Sequence, residues 1–227
     1  MSSLAPQFST HRRGFLGRLT AGTLAAMGIA SLDSRTLGAE PIFTEAAGAD
    51  DWLAAITGTY RQFFDAVSVN DGFPFSFAMT FMNTIGETYK VPDKDITAVV
   101  GLRHFAIPLA FNDGIWAKYK LGEMLKINDP VTKAPAVRNP YAYAKEGELL
   151  FPGMAFEKIQ TRGTIFTVCN VALNVLSGLA APQAGLSKEA AKQDWLAGMF
   201  KGVVVVPSGV FAVNRAQKKG CTYCFAG

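Results

Sequence analysis

Between residues 58 and 225, short apolar runs alternate with stretches whose apolar residues recur every three or four positions. The runs are Tyr60–Val67, Ile96–Leu102, Thr164–Cys169, Gly202–Val206 and Cys221–Phe225. They are brief, rich in Val, Ile and aromatic residues, and apolar on both faces, as strands covered on both sides are. Between them the spacing predicts a helix over Phe75–Tyr89, with Ala78, Phe81, Met82, Ile85 and Tyr89 on one face. It predicts a second from Pro108 towards Lys120, with Phe111, Ile115 and Tyr119 in register. A third spans Asn170–Leu179. A fourth is capped by Ser187 and buries Trp195, Leu196 and Met199. A fifth is capped by Ser208, runs to Lys219 and is closed by Gly220.

Three further segments complete the pattern. A short helix carrying Trp52, Leu53 and Ile56 is capped by Asp50 or Asp51 and stopped by Gly58. Ser68–Gly72 has turn chemistry. Residues 126–152, rich in Pro, Asn, Lys and Gly, predict a long connection with one helical turn near Tyr141–Leu150, and connections of this length are often functional.

Strands that alternate with helices predict a three-layer α/β fold with a mostly parallel sheet. In such sheets ligands bind at the carboxyl ends of the strands. Asp65–Asn70, Arg103-His104, Cys169-Asn170 and Pro207-Ser208-Gly209 all fall there.

The amino terminus follows a different pattern. Thr10-His11-Arg12-Arg13-Gly14-Phe15-Leu16-Gly17 reads as a twin-arginine export signal. The apolar stretch after it, Leu19–Leu32, falls short of the ~18 residues needed to span a bilayer. Leu37-Gly38-Ala39 offers a cleavage site, with Glu40 as the mature start. The expected organisation is a signal at 1–39, a lead-in with a short helix at 40–57, and one domain at 58–227. The expected location is the periplasm, with the twin-arginine translocon as a partner during export and no membrane anchor after cleavage.

This signal also reinterprets the charge. Residues 1–39 hold four Arg against one Asp, so +3 of the formal +4 belongs to them and the remainder is nearly neutral. No basic patch interleaved with aromatics appears, which argues against nucleic acid as a partner. No cofactor is predicted.

Few residues after position 40 can carry chemistry. Cys169 ends a strand and opens a helix, where free amides and the helix dipole stabilise a thiolate; the same position also suits a buried cysteine that only packs. His104, the single histidine beyond the signal, sits past another strand end and could serve as a base or hold the thiolate charge. Ser208-Gly209 after Pro207 can cradle an anion at a helix start or act as an ordinary cap. Cys221-Thr222-Tyr223-Cys224 has redox spacing, yet residues in a strand at this spacing point to opposite faces. A disulfide there needs a turn, and a bridge from Cys169 to either is the other option.

Two segments then carry a resemblance. Gly163-Thr164-Ile165-Phe166-Thr167-Val168-Cys169-Asn170-Val171-Ala172-Leu173, and Val203-Val204-Val205-Val206-Pro207-Ser208-Gly209-Val210 to Gly220, resemble the DsrE/DsrF-like family named for intracellular sulfur oxidation. Phe64-Asp65-Ala66, Val99 to Asp113 with His104 and Pro108, and Arg138-Asn139-Pro140-Tyr141 agree with it. The resemblance covers roughly residues 58–225. It implies a compact α/β domain that assembles into homo-oligomers, in whose sulfur-relay members a Cys after a central strand carries sulfur as a persulfide. Cys169 occupies that position, and His104, Ser208, Gly209, Asn170 and Asp65 would line the pocket. The partner would be a small sulfur species or a sulfur-carrier protein. Two departures stand out: the relay members are cytoplasmic, and relatives generally lack the Cys221/Cys224 pair.

The leading expectation is therefore a periplasmic sulfur handler using Cys169. One alternative is a non-catalytic binding or assembly module with a structural disulfide. Another is a metal-binding protein using Cys and His104.

Overall fold

The computed structural model describes residues 48–227. The twin-arginine segment, the cleavage site and most of the lead-in lie outside the described residues.

Five strands form one sheet: β1 (Tyr60–Ala66), β2 (Ile96–Leu102), β3 (Ile165–Cys169), β4 (Val204–Val206) and β5 (Thr222–Phe225). Their order is β4-β3-β2-β1-β5, and every pairing is parallel. The helices are α1 (Phe73–Tyr89), α2 (Asp113–Lys118), α3 (Leu121–Leu125), α4 (Phe156–Thr161), α5 (Asn170–Ala180), α6 (Lys188–Ala197) and α7 (Gly209–Lys218). The three-layer α/β architecture is thus the one the alternating pattern implies. All seven residues of β2 are buried, as a central parallel strand requires.

The two faces of the sheet are covered unequally. On the first face, α1, α4, α5 and α6 enclose a large core around Phe75, Phe156, Phe166, Trp116 and Trp195. Among the described residues, the second face carries only α7 and the 3-10 turn Asp51–Ala55, which bury Trp52, Leu53, Ile56, Phe63, Val99, Val206, Ala212 and Ala216. Strand order explains the asymmetry. β1 to β4 are laid down successively in one direction, and the chain must then return across the sheet to place β5 beside β1. α7 makes that return and touches all five strands. Gly101 helps the second face close, because the ring of Phe63 occupies the space where a Cβ would stand.

The structure departs from the sequence expectations in several places. The helix expected from Pro108 to Lys120 is broken. Pro108 lies inside a 3-10 segment, His104–Ala110, and Phe111 is extended and bridges to Met199. Asn112 then caps α2 by accepting the Ile115 N–H. The α4 helix was not anticipated, since its six residues offer only Phe156 and Ile159 as buried apolar positions. Residues 141–150 hold turns rather than a regular helix. Asp50 does not cap the first turn; its carboxylate accepts from Arg215 of α7 instead (Nε to Oδ1, 2.9 Å). In contrast, Ser187 and Ser208 cap α6 and α7 as expected.

Candidate functional site

The site is built where the strands end. Loops following β1 and β2 and the end of β5 are tied together by backbone hydrogen bonds. Arg103 N–H donates to Ala66 O, Phe105 N–H to Val67 O, and Ala226 N–H to Asp65 O, each at 3.0 Å. Three of the seven described non-glycine residues with left-handed backbone lie here, Asn70 and Asp71 after β1 and His104 after β2; the other four are lysines elsewhere. Such conformations are costly and recur at functional sites.

Asp65 is the centre of this rim. It lies opposite Gly101 of β2 and Phe225 of β5, on the α7 side of the sheet. It is only 2 % exposed, so its charge must be paired. Arg103 pairs it in a fork, Nε to Oδ1 at 2.7 Å and Nη2 to Oδ2 at 2.9 Å. Tyr223 of β5 adds a third bond from its hydroxyl to Oδ2 at 2.9 Å. Those hydrogen bonds to Asp65 raise the Arg103 value above its ordinary level; burial opposes this, and the charges of Asp65, Tyr223 and Cys169 add to it. The Tyr223 hydroxyl is also pushed up, by burial first and then by its bond to Asp65.

The approach of Arg103 depends on Gly209. A Cβ at position 209 would stand 2.6 Å from both Cβ and Cδ of Arg103. Gly209 therefore serves here as the small residue that lets the first turn of α7 rest on the arginine. Ser208 next to it is spent on capping, its Oγ accepting the Phe211 N–H at 3.2 Å.

His104 is bound to the same cluster. Its Nδ1 lies 3.2 Å from Arg103 Nη1. A guanidinium only donates, so Nδ1 accepts and the imidazole proton sits on Nε2. Burial and then the Arg103 charge lower the His104 value, with Asp65 pulling the other way. His104 is thus a neutral group that presents an N–H.

Cys169 caps α5. Its Sγ accepts the Ala172 N–H at 3.4 Å, and the residue is 5 % exposed. Its sulfur lies close enough to Arg103 to bear on the guanidinium charge. Its hydrogen bond runs to α5, whereas that of His104 runs to Arg103. Asn170 opens α5 half-buried.

The other two cysteines lie apart. Cys221 belongs to the second-face core, while Cys224 packs against the first. All three cysteines are free thiols. The strand geometry of β5 accounts for this, since side chains three residues apart in an extended segment face opposite sides. No bridge joins Cys169, Cys221 and Cys224 in this structure. Among the described residues, no group of three or more His, Cys, Asp or Glu side chains is gathered as a metal site would need. No helix among them is long and apolar enough to cross a membrane.

Two contributors escaped sequence reasoning. Arg103 was placed at a strand end without a role, and Tyr223 was seen only inside the Cys-x-x-Cys spacing. An acid one residue before the end of an apolar strand was the available signal for Arg103, because a buried carboxylate demands a cation. Nothing local marked Tyr223.

No family model matches the chain, and no curated protein matches it. Among solved structures, a protein of unknown function from Methanobacterium thermoautotrophicum aligns over 73 % of this chain and 98 % of its own, with 14 % identity and a TM-score of 0.37. A likeness at that level carries no argument about fold or activity.

Proposed function

We propose that this chain is an exported DsrE-like sulfur handler that carries sulfur as a persulfide on Cys169. The observation that carries the reading is the setting of that thiol: it caps an eleven-residue helix, accepts an amide hydrogen bond and lies in the field of Arg103. Amide donors at a helix start and a nearby cation both favour a sulfur anion.

The chemistry balances without an external oxidant. The Cys169 sulfur attacks the outer sulfur of a donor persulfide, R–S–SH. The donor S–S bond breaks, a new S–S bond forms at Cys169, and the donor leaves as the thiol R–SH with the proton that Cys169 gave up. With thiosulfate as donor the leaving group is sulfite. Attack by an acceptor thiolate on the outer sulfur then returns Cys169 to its starting state. Arg103 would stabilise negative charge on the reacting sulfur, and the His104 Nε2–H is a further donor at the rim. The twin-arginine segment supports a periplasmic setting, and the family resemblance supports assembly into homo-oligomers.

Mass spectrometry after exposure to a persulfide or thiosulfate donor tests the reading. An adduct of about 32 Da on the Cys169 peptide is expected, and it should be absent from Cys169→Ser. Failure of every donor to modify Cys169 while Cys224 reacts would overturn it.

A further inference from the structure

The second face of the sheet holds a cleft that the sulfur chemistry does not use. It is lined by Asp65, Val210, Val213, Gln217 and Tyr223 and has a volume of about 320 Å³. Among the described residues α7 is the only helix on this face, and β5 beside it has just four residues, so space remains between them. The cleft adjoins the β1–β5 boundary, where the strand order reverses. Crevices at such reversals are the usual ligand sites of parallel sheets.

We propose that this cleft binds a small organic molecule that joins an apolar body to a hydrogen-bond-donating head. The floor defines the head. Asp65 Oδ2 already accepts from Arg103 and Tyr223, and a carboxylate offers only acceptor positions. Tyr223 spends its one proton on Asp65, so its oxygen presents lone pairs to the cleft. A ligand O–H or N–H is satisfied there. Gln217 adds an amide that can donate or accept, but among the described residues no Lys, Arg or His lines the cleft, so an anionic head would lie beside the Asp65 carboxylate with no counter-charge in the lining. The walls define the body. Val210 is 68 % exposed and Tyr223 44 % exposed, and with Val213 they offer apolar surface that an occupant would cover. This proposal stands apart from persulfide formation and does not depend on it.

Amide NMR of the whole chain, titrated with benzyl alcohol, benzylamine, toluene and benzoate, tests it. Benzyl alcohol and benzylamine should give saturable shifts at Val210, Val213, Gln217 and Tyr223. Toluene and benzoate should bind at least about tenfold more weakly, the loss of one good hydrogen bond. Val210→Trp should fill the mouth and abolish the shifts with the remaining spectrum unchanged, and Tyr223→Phe should weaken benzyl alcohol by about tenfold. Toluene binding as well as benzyl alcohol, or benzoate binding better, would overturn the donor-head assignment. Shifts that survive Val210→Trp, or no shifts at the cleft with any probe, would overturn the site itself.

Discussion

The two faces of this sheet are made for different work. The first face buries tilted and edge-on aromatics, with ring centroids of Phe75, Phe156 and Phe166 lying 4.4 to 6.0 Å apart. The second face has one helix, a short turn and a buried Asp65–Arg103–Tyr223 cluster at its carboxyl edge. The difference follows from covering. Four helices over one face leave little room for a polar group that lacks partners. A single helix crossing the other leaves a cleft beside it and an ion pair at its rim. Stability is concentrated on the crowded face, and adjustable chemistry on the thin one.

The largest effect should come from the crowded face. Phe75→Ala removes a ring that is 0 % exposed and contacts both Phe156 and Phe166. Denaturant unfolding should show a loss of about 3–5 kcal/mol. Cys169 belongs to the same core, so its alkylation under native conditions should rise as well, and an unchanged rate would detach the thiol from that core.

Asp65→Asn should cost less and alter reactivity more. It keeps the side chain's size but leaves Arg103 without its counter-charge, at an expected cost of about 2 kcal/mol. The guanidinium then keeps its bond to His104 but has no counter-charge, so its full field bears on the Cys169 sulfur and iodoacetamide should label Cys169 faster than in the parent. An unchanged rate would detach the rim cluster from the thiol.

Ser208→Ala removes the cap of α7, the one helix of the thin face. Unfolding should register about 1 kcal/mol. Because α7 rests on Arg103 through Gly209, Cys169 labelling should shift in the same experiment, whereas loss of the Ser187 cap on α6 should leave it alone.

The smallest effect is a pH dependence. His104 is held below its ordinary value of 6.5 by burial and by Arg103. On acidification the unfolded chain takes up this proton near 6.5, before the folded chain does. Stability should therefore fall as pH drops through that value and level off once the folded form is also protonated. His104→Asn, which tolerates the left-handed backbone at φ +47°, should flatten the thermal unfolding profile between neutral and mildly acidic pH. An unaltered profile would remove His104 from the rim cluster.

Much of this was legible along the chain. All five strands were marked by their apolar runs, and the Ser187 and Ser208 caps by residue type. Cys169, His104, Asp65 and Ser208 were all recognisable as strand-end residues. Pro108 misled, because a proline that suits a first turn also suits a 3-10 segment, and the choice was made by Phe111 pairing with Met199. The run Cys221–Phe225 reads as one strand, whereas β5 begins at Thr222 and leaves Cys221 just before it; the extended geometry still puts the two thiols on opposite faces.

The sequence by itself determined the five strands and the longer helices, because burial on both faces or on one stripe is written in local periodicity. It also put Asp65, His104 and Cys169 at strand ends. Strand order was beyond it. Tyr223 meets Asp65 across 158 positions only because β5 pairs with β1, and Arg103 closes on α7 only because residue 209 has no side chain. Contacts of that kind arise from long-range packing, whose free energy depends on every layer at once and leaves no periodic trace in the residues that make them.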